Sequence, residues 1–269
     1  MLNEKFFEDN DEFAYVIGLL LTDGCVRITQ TSKGWHGYMS ISLKESDRYL
    51  LEKVRDYLDP DRKIYTIHRI SGFEGEDLAK LDIVDKDFLI RIMSYGVVPK
   101  KTKIVSLPNI PGYEDALIRG IFDGDGSVWT FNQGKNFGFG LRSCFTGGCR
   151  NFMVQIGKLL QNRIGIIPKI YEVGCGNDNW RLAYGSRESI ALYDFMYKDN
   201  ISLYHIGKRK IFKDWLIYKG IEDYKAKCSN CGNEFVRLRR ERNWCNDCYK
   251  ARKHKNKLQS DLSSDVKLT

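Results

Sequence analysis

Two aspartates stand in matching surroundings 102 residues apart: Asp23 in GLLLTDGCV (18 to 26) and Asp125 in GIFDGDGSV (120 to 128). Each closes an apolar run with the character of a helix, where the helix dipole is already negative. Two carboxylates brought together there would repel one another and call for a cation between them. Hard oxygen ligands with open positions suit Mg²⁺, which keeps waters and takes phosphate oxygens. DGDGSV opens like a calcium-binding EF-hand loop, but Val128 stands where that loop needs Gly and Gly134 where it needs Glu, so the motif is excluded.

A second constellation lies near the C-terminus. Cys228-x2-Cys231 and Cys245-x2-Cys248, with thirteen residues between the pairs, have zinc-ribbon form at slightly tighter spacing than usual. Four thiolates satisfy tetrahedral Zn²⁺ and leave no position for catalysis, so this site is expected to be structural. Cys25, Cys144, Cys149 and Cys175 lack paired spacing and are expected to be buried or incidental thiols. Between Lys225 and Lys257 there are eleven Lys and Arg against three Asp and Glu, a surplus equal to the whole chain's +8. The rest of the chain is neutral, so attraction to a polyanion is concentrated on this segment. Arg237, Arg239, Arg240 and Arg242, between the two cysteine pairs, are its candidate nucleic-acid contacts. No segment reads as an export signal or a membrane span; the longest apolar run, FAYVIGLLL, has nine residues. The expectation is an intracellular protein with reduced cysteines.

The elements that position the two aspartates come as a duplication. At a shift of 102, Gly18 falls on Gly120, Asp23 on Asp125, Gly24 on Gly126, Val26 on Val128 and Arg48 on Arg150. KLDIVDKD (80 to 87) overlies RLAYGSRE (181 to 188) at a shift of 101. Each half begins with an apolar helix (about 11 to 23 and 114 to 125) that a Gly is expected to stop. Two alternating strands follow, CVRIT with YMSISLK and SVWTF with FGFGLRS, then a helix, two strands and a last helix. The fold class is therefore α+β, with αββαββα twice over and a pseudo-twofold axis between the halves. The halves are placed at 1–106 and 114–220, with LPNIPGY (107 to 113) as linker. The zinc module is placed at 225–257 and a disordered tail at 258–269. Ala14, Gly18 and Thr22, and likewise Ala116, Gly120 and Gly124, form small-residue ridges at i, i+4, i+8. Helices packed along such ridges can bring their backbones close and set Asp23 beside Asp125. In the first strand pair Val26, Ile28, Ile41 and Leu43 are expected to face the core, which turns Arg27, Thr29, Ser40, Ser42 and Lys44 outward.

IGLLLTDG (17 to 24) and RGIFDGDG (119 to 126) together resemble the paired signature motifs of the LAGLIDADG homing endonucleases in their single-chain form. The resemblance covers roughly residues 11 to 218. It implies two saddle-shaped antiparallel sheets laid over the DNA major groove, and metal-dependent cleavage of both strands at a long target site, leaving short 3′ overhangs. It assigns the catalytic metals to Asp23 and Asp125; Asp123, whose place in the first half is taken by Leu21, is left out of the metal site. It also implies a lysine near each site, before the last helix of each half, within PKKTKIV (99 to 105) and GKRKIF (207 to 212). Lys101 and Lys210 are chosen from those runs as stabilisers of transition-state charge. The saddle face nominates Arg27, Thr29, Ser40, Ser42, Lys44 and Lys80 in the first half, and Arg142, Lys169 and Arg181 in the second. The implied protein is a monomer acting on double-stranded DNA, encoded by a mobile intron or free-standing. The alternative is a non-cleaving nucleic-acid binder, such as an intron RNA maturase or a DNA-binding regulator.

Overall fold

The computed structural model describes residues 2–32, 34–68, 76–134, 138–174, 178–198, 200–221, 225–237, 243–245 and 247–252. The chain forms two compact units, Met1–Ile211 and Phe212–Thr269. The first opens with helix α1 (Asp11–Thr22), started by Asn10, whose side chain accepts the Phe13 N–H at 2.7 Å. It continues as β1 (Gly24–Thr31), β2 (Gly34–Lys44), α2 (Arg48–Leu58), β3 (Ile64–Ile67), β4 (Leu78–Ile83) and α3 (Lys86–Ser94). The second half repeats this order with α4 (Glu114–Asp125), β5 (Gly126–Asn132), β6 (Phe139–Gly147), α5 (Arg150–Ile164), β7 (Lys169–Glu172), β8 (Trp180–Tyr184) and α6 (Ser186–Met196). Helix α7 (Ile206–Tyr218) follows, and the boundary between the compact units falls inside it. Residues 107–113 carry neither helix nor strand.

The two sheets are antiparallel and share one topology, β1-β2-β4-β3 and β5-β6-β8-β7. Their inner faces bury Val26, Met39, Ile41, Ala79, Leu81 and Ile83 in one half, and Val128, Leu141, Phe145, Leu182 and Tyr184 in the other. Two expected core positions differ. Ile28 is 38% exposed and Leu43 is half-buried, because β1 is exposed on both faces from Ile28 onward.

Helices α1 and α4 cross along the expected small-residue ridges. A Cβ added at Gly18 would lie 2.3 Å from the Leu117 carbonyl oxygen, and one at Gly120 would lie 2.1 Å from that of Tyr15. Both obstacles are backbone, which cannot swing aside. Gly120→Ala is therefore expected to destabilise the protein by about 1–3 kcal/mol through overpacking. That loss would come despite the roughly 1 kcal/mol that alanine gains over glycine in a helix. Thermal melting checks the sign, and a stabilised Gly120→Ala protein would mean the backbones do not touch.

The glycines after the two helices play a different part from the one expected. Gly126 is extended, at φ −83° and ψ 156°, and Gly24 opens β1, so neither makes a left-handed stop. Each helix runs directly into a strand, and the turn is too tight for a side chain: a Cβ at Gly24 or Gly126 would lie 2.6 or 2.4 Å from the carbonyl oxygen of Leu20 or Phe122.

Candidate active site and nucleic-acid face

The crossing of α1 and α4 brings their C-terminal ends together. Gly124 packs on Thr22 and on the Asp23 carboxylate, whose Oδ2 lies 2.8 Å from where a Gly124 Cβ would stand. Burial above all, and then the charge of Asp125, push the Asp23 carboxyl up to about 6 against the pull of Lys208 and Lys101. Burial also raises Asp125, and the same two lysines oppose it. Two acids, each at the negative end of a helix and each raised by burial, make a site short of positive charge. Their hard oxygen donors fit a divalent cation such as Mg²⁺.

Two lysines supply the positive charge the protein itself provides. Lys101 is 9% exposed, and its ammonium donates to the Gly24 carbonyl at the foot of α1. In the second half that place is held by Lys208, whose Nζ donates to the carbonyls of Phe122, Asp123 and Gly124 at 3.0, 2.6 and 3.0 Å. Burial lowers both lysines, and Asp23 and Asp125 oppose the shift in each case. Lys210, the residue chosen from the sequence, is exposed, and the lysines that pull both aspartates down are Lys208 and Lys101. Helical geometry separates the two: Lys208 sits in the first turn of α7, under the end of α4, and two residues further on the side chain has rotated about 200° around the axis.

Asp123 is turned away from the pair. It is 4% exposed and accepts hydrogen bonds from the hydroxyls of Tyr15 and Tyr197, both at 2.9 Å, and from the His205 backbone N–H at 2.7 Å.

The strand register sorts the nominated contact residues. Arg27 and Thr29 are exposed on the outer face of β1, Lys44 on β2, Arg142 on β6 and Lys169 on β7. Ser42, Lys80 and Arg181 share those outer faces and are half-buried. Lys80 is tied to Asp82 at 2.9 Å. Ser40 departs from expectation: at 9% exposure it is buried, because it lies mid-sheet between Cys25 and Asp82. Two atoms of these outer faces, Asp82 Oδ1 and Arg181 Nε, are buried without a hydrogen-bond partner. Cys25 is exposed, Cys144 and Cys149 are buried, and Cys175 lies outside the described residues.

Sequence reasoning nominated only polar residues for this face and missed its aromatic ones. Arg27 is paired across strands with Tyr38, Lys80 with Tyr65, Arg142 with Trp129 and Arg181 with Tyr171. Arg142 also lies over the Phe131 ring, 4.4 Å from its centroid. Alternation carried the signal, since Trp129 and Phe131 share the parity of Ser127, as Tyr65 does with Ile67. Basic groups interleaved with rings can meet phosphates, base edges and thymine methyls together.

In the second unit, hairpin β9–β10 (Lys225–Lys227 with Glu234–Val236) ends in a turn carrying Cys228 and Cys231. The sulfurs of Cys228, Cys231, Cys245 and Cys248 all lie within 4.8 Å of one another. Cys231 Sγ and Cys245 Sγ are 3.8 Å apart, close to the separation a tetrahedral zinc thiolate site needs at about 2.3 Å per bond. The Cys245 amide donates to Cys228 Sγ and the Asn230 side chain to Cys248 Sγ, both at 3.2 Å, as donors to thiolates would. Arg237 is half-buried beside this cluster in sequence; Arg239, Arg240, Arg242 and the tail from 258 onward lie outside the described residues.

A duplicated αββαββα fold with one acid at the foot of each central helix defines the class. The LAGLIDADG-like domain profile matches residues 10–95 and 112–195, and the chain belongs to that family. Among solved structures, it is similar to the meganuclease I-SmaMI bound to an uncleaveable DNA (15% identity, TM-score 0.53, covering 82% of this chain and 94% of that one). It is comparably similar to the LAGLIDADG homing endonuclease I-GzeII in complex with its DNA target (15% identity, TM-score 0.53, covering 79% and 92%). I-SmaMI with uncleaved DNA and calcium ions is a further neighbour (15% identity, TM-score 0.52, covering 81% and 94%). At this identity the likeness is one of fold. No curated protein sequence matches. Among the described residues, no helix is long and apolar enough to cross a membrane.

Proposed function

We propose that the chain is a site-specific, metal-dependent endonuclease acting on double-stranded DNA as a monomer, with both active sites in one polypeptide. The convergence of Asp23 and Asp125 at the touching ends of α1 and α4, flanked by Lys101 and Lys208, carries this reading. Membership of the LAGLIDADG-like family and fold neighbours solved on DNA support it. A divalent cation such as Mg²⁺, when bound, would supply Lewis-acid charge and an acidified water for in-line attack on a phosphodiester. Asp23 and Asp125 would hold that ion through their carboxylate oxygens. Lys101 and Lys208 would offset charge growing on the phosphate. The outer sheet faces would set register through phosphate contacts from Lys44 and Lys169 and read bases with Arg27, Arg142 and Arg181. The cysteine module would add a basic phosphate contact, with Zn²⁺ holding its fold.

Incubating the protein with Mg²⁺ and a randomised plasmid library, then sequencing the ends, tests this. Cuts in both strands at one long motif, with short 3′ overhangs, are expected from the unaltered protein. None are expected from Asp23→Asn/Asp125→Asn. In the same assay Lys208→Met is expected to slow cleavage by ~10–100-fold, the scale of losing one fixed charge beside the reacting phosphate, while Lys210→Met changes it little. Intact DNA from folded, zinc-loaded protein would sink the nuclease reading and favour a non-cleaving binder, with RNA the next ligand to try.

A further inference from the structure

The two lysines are seated by different means, and the difference starts at Asp123. Its carboxylate takes the N–H of His205, the residue immediately before α7, and the Tyr15 hydroxyl on Oδ2, and the Tyr197 hydroxyl on Oδ1. Tyr49 secures the same helix start by accepting the Ile206 N–H at 2.8 Å. Three residues along from His205, the Lys208 ammonium returns to the carbonyls of Phe122, Asp123 and Gly124. Asp123 thus holds α7 through its side chain and helps seat the α7 lysine through its own main chain. With three N–H bonds spent on carbonyls, Lys208 is a fixed charge rather than a free donor.

Among the described residues, no such carboxylate stands beside Lys101 in the first half. There Leu21, 3% exposed, takes the place of Asp123, and Lys101 lies in a short 3₁₀ turn (Lys101–Lys103) with its ammonium on Gly24. A buried carboxylate satisfied by three donors is costly to assemble and tolerates little displacement. Its presence beside one lysine only is therefore informative.

We propose that Asp123 is a positioning residue for Lys208, fixing the charge at one active site and leaving the other untouched. The inference rests on the nuclease reading above. Asp123→Asn keeps the side chain's shape but removes its charge and leaves one oxygen in place of two to accept from three donors. Lys208 would then lose its setting, and a shift of about 1 Å in a charged group can cost ~10²-fold in rate. The strand served by Lys208 should therefore slow while the strand served by Lys101 should not.

The test uses the full chain and a duplex target whose two strands carry different labels, so that each nick is timed separately. Asp123→Asn is expected to slow one strand by ~10–100-fold and the other by less than ~3-fold, with nicked duplex accumulating. Tyr197→Phe should slow the same strand by a smaller factor. In a Lys208→Met background, adding Asp123→Asn should change that strand's rate by less than ~2-fold, because the positioned group is already gone. Equal slowing of both strands, no slowing in either variant, full additivity with Lys208→Met, or failure of both variants to fold would each overturn the proposal. Failure of the nuclease reading would show separately, as absence of cleavage by the unaltered protein.

Discussion

Asp23→Asn is expected to abolish DNA cleavage and, in the same molecule, to raise the melting temperature of the metal-free protein. The two effects have one cause. Asp23 is an acid at the negative end of α1, pushed up to about 6 by burial and by Asp125, so its ionised form is held against an electrostatic cost. A metal ion offsets that cost; without one, the neutral amide removes it. The expected gain is on the order of 1 kcal/mol, or a few degrees. It should appear between about pH 4 and pH 6 and stay constant above. The sign follows from linkage: the folded carboxyl binds its proton more tightly than the unfolded one, so the unaltered protein loses stability as pH rises through that window, and Asn does not. Cleavage, in contrast, should fall ~10³-fold or more with the loss of a metal ligand. Calorimetry in EDTA and then in Mg²⁺ separates the parts. Mg²⁺ should stabilise the unaltered protein and not Asp23→Asn. A variant less stable than the unaltered protein in EDTA would mean that the carboxylate is paired rather than strained.

The second large effect is expected from zinc removal. The cysteine module pairs two three-residue strands and has Ala226, Phe235 and Val236 as its apolar strand residues, far too little to fold by burial. A structural zinc site contributes about 10–16 kcal/mol of apparent binding free energy, which at this size is the folding energy. Metal analysis should give one zinc per chain, and Co²⁺ substitution should give the intense absorption of tetrahedral thiolate ligation. Cys231→Ser should lose both, and the module should then exchange its amide hydrogens as an unfolded chain does. DNA binding should weaken with a shallower salt dependence, since a basic surface no longer presented as a unit releases fewer counterions. Full zinc occupancy after the Cys231 substitution would rule out the four-sulfur site.

The fold and the two aspartates were legible in the sequence because duplication prints one pattern twice. Gly18 and Gly120, each tolerable in an ordinary helix, become a packing statement when they recur at matched positions before Asp23 and Asp125. The four cysteines were legible through their spacing, which a knuckle turn demands locally. What could not be read depended on facing. PKKTKIV and GKRKIF each offer several lysines, and only the helical phase of α7 against α4 decides that Lys208, not Lys210, reaches the carbonyls at the end of α4. Ser40 sits on the expected face but in its crowded middle, and crowding is a tertiary property. Asp123 could be set aside as a metal ligand, yet its three partners come from α1, α6's end and the start of α7, a meeting that no local pattern announces.

The close crossing at Gly18 and Gly120 also acts as a gauge. Because each acid proposed for the metal site is the last residue of its helix or directly follows it, their separation follows from how closely the two backbones cross at Gly18 and Gly120, with Thr22 packed on Gly124 beside them. On the proposed nuclease reading, the stagger of the two cuts would be a dimension of the helix pair, independent of the sheets. Halves taken from different chains could trade recognition surfaces freely, provided α1 and α4 were exchanged as a matched couple. On the same reading, a graft that kept both acids but widened the crossing by one methyl group is expected to bind its DNA and fail to cut it.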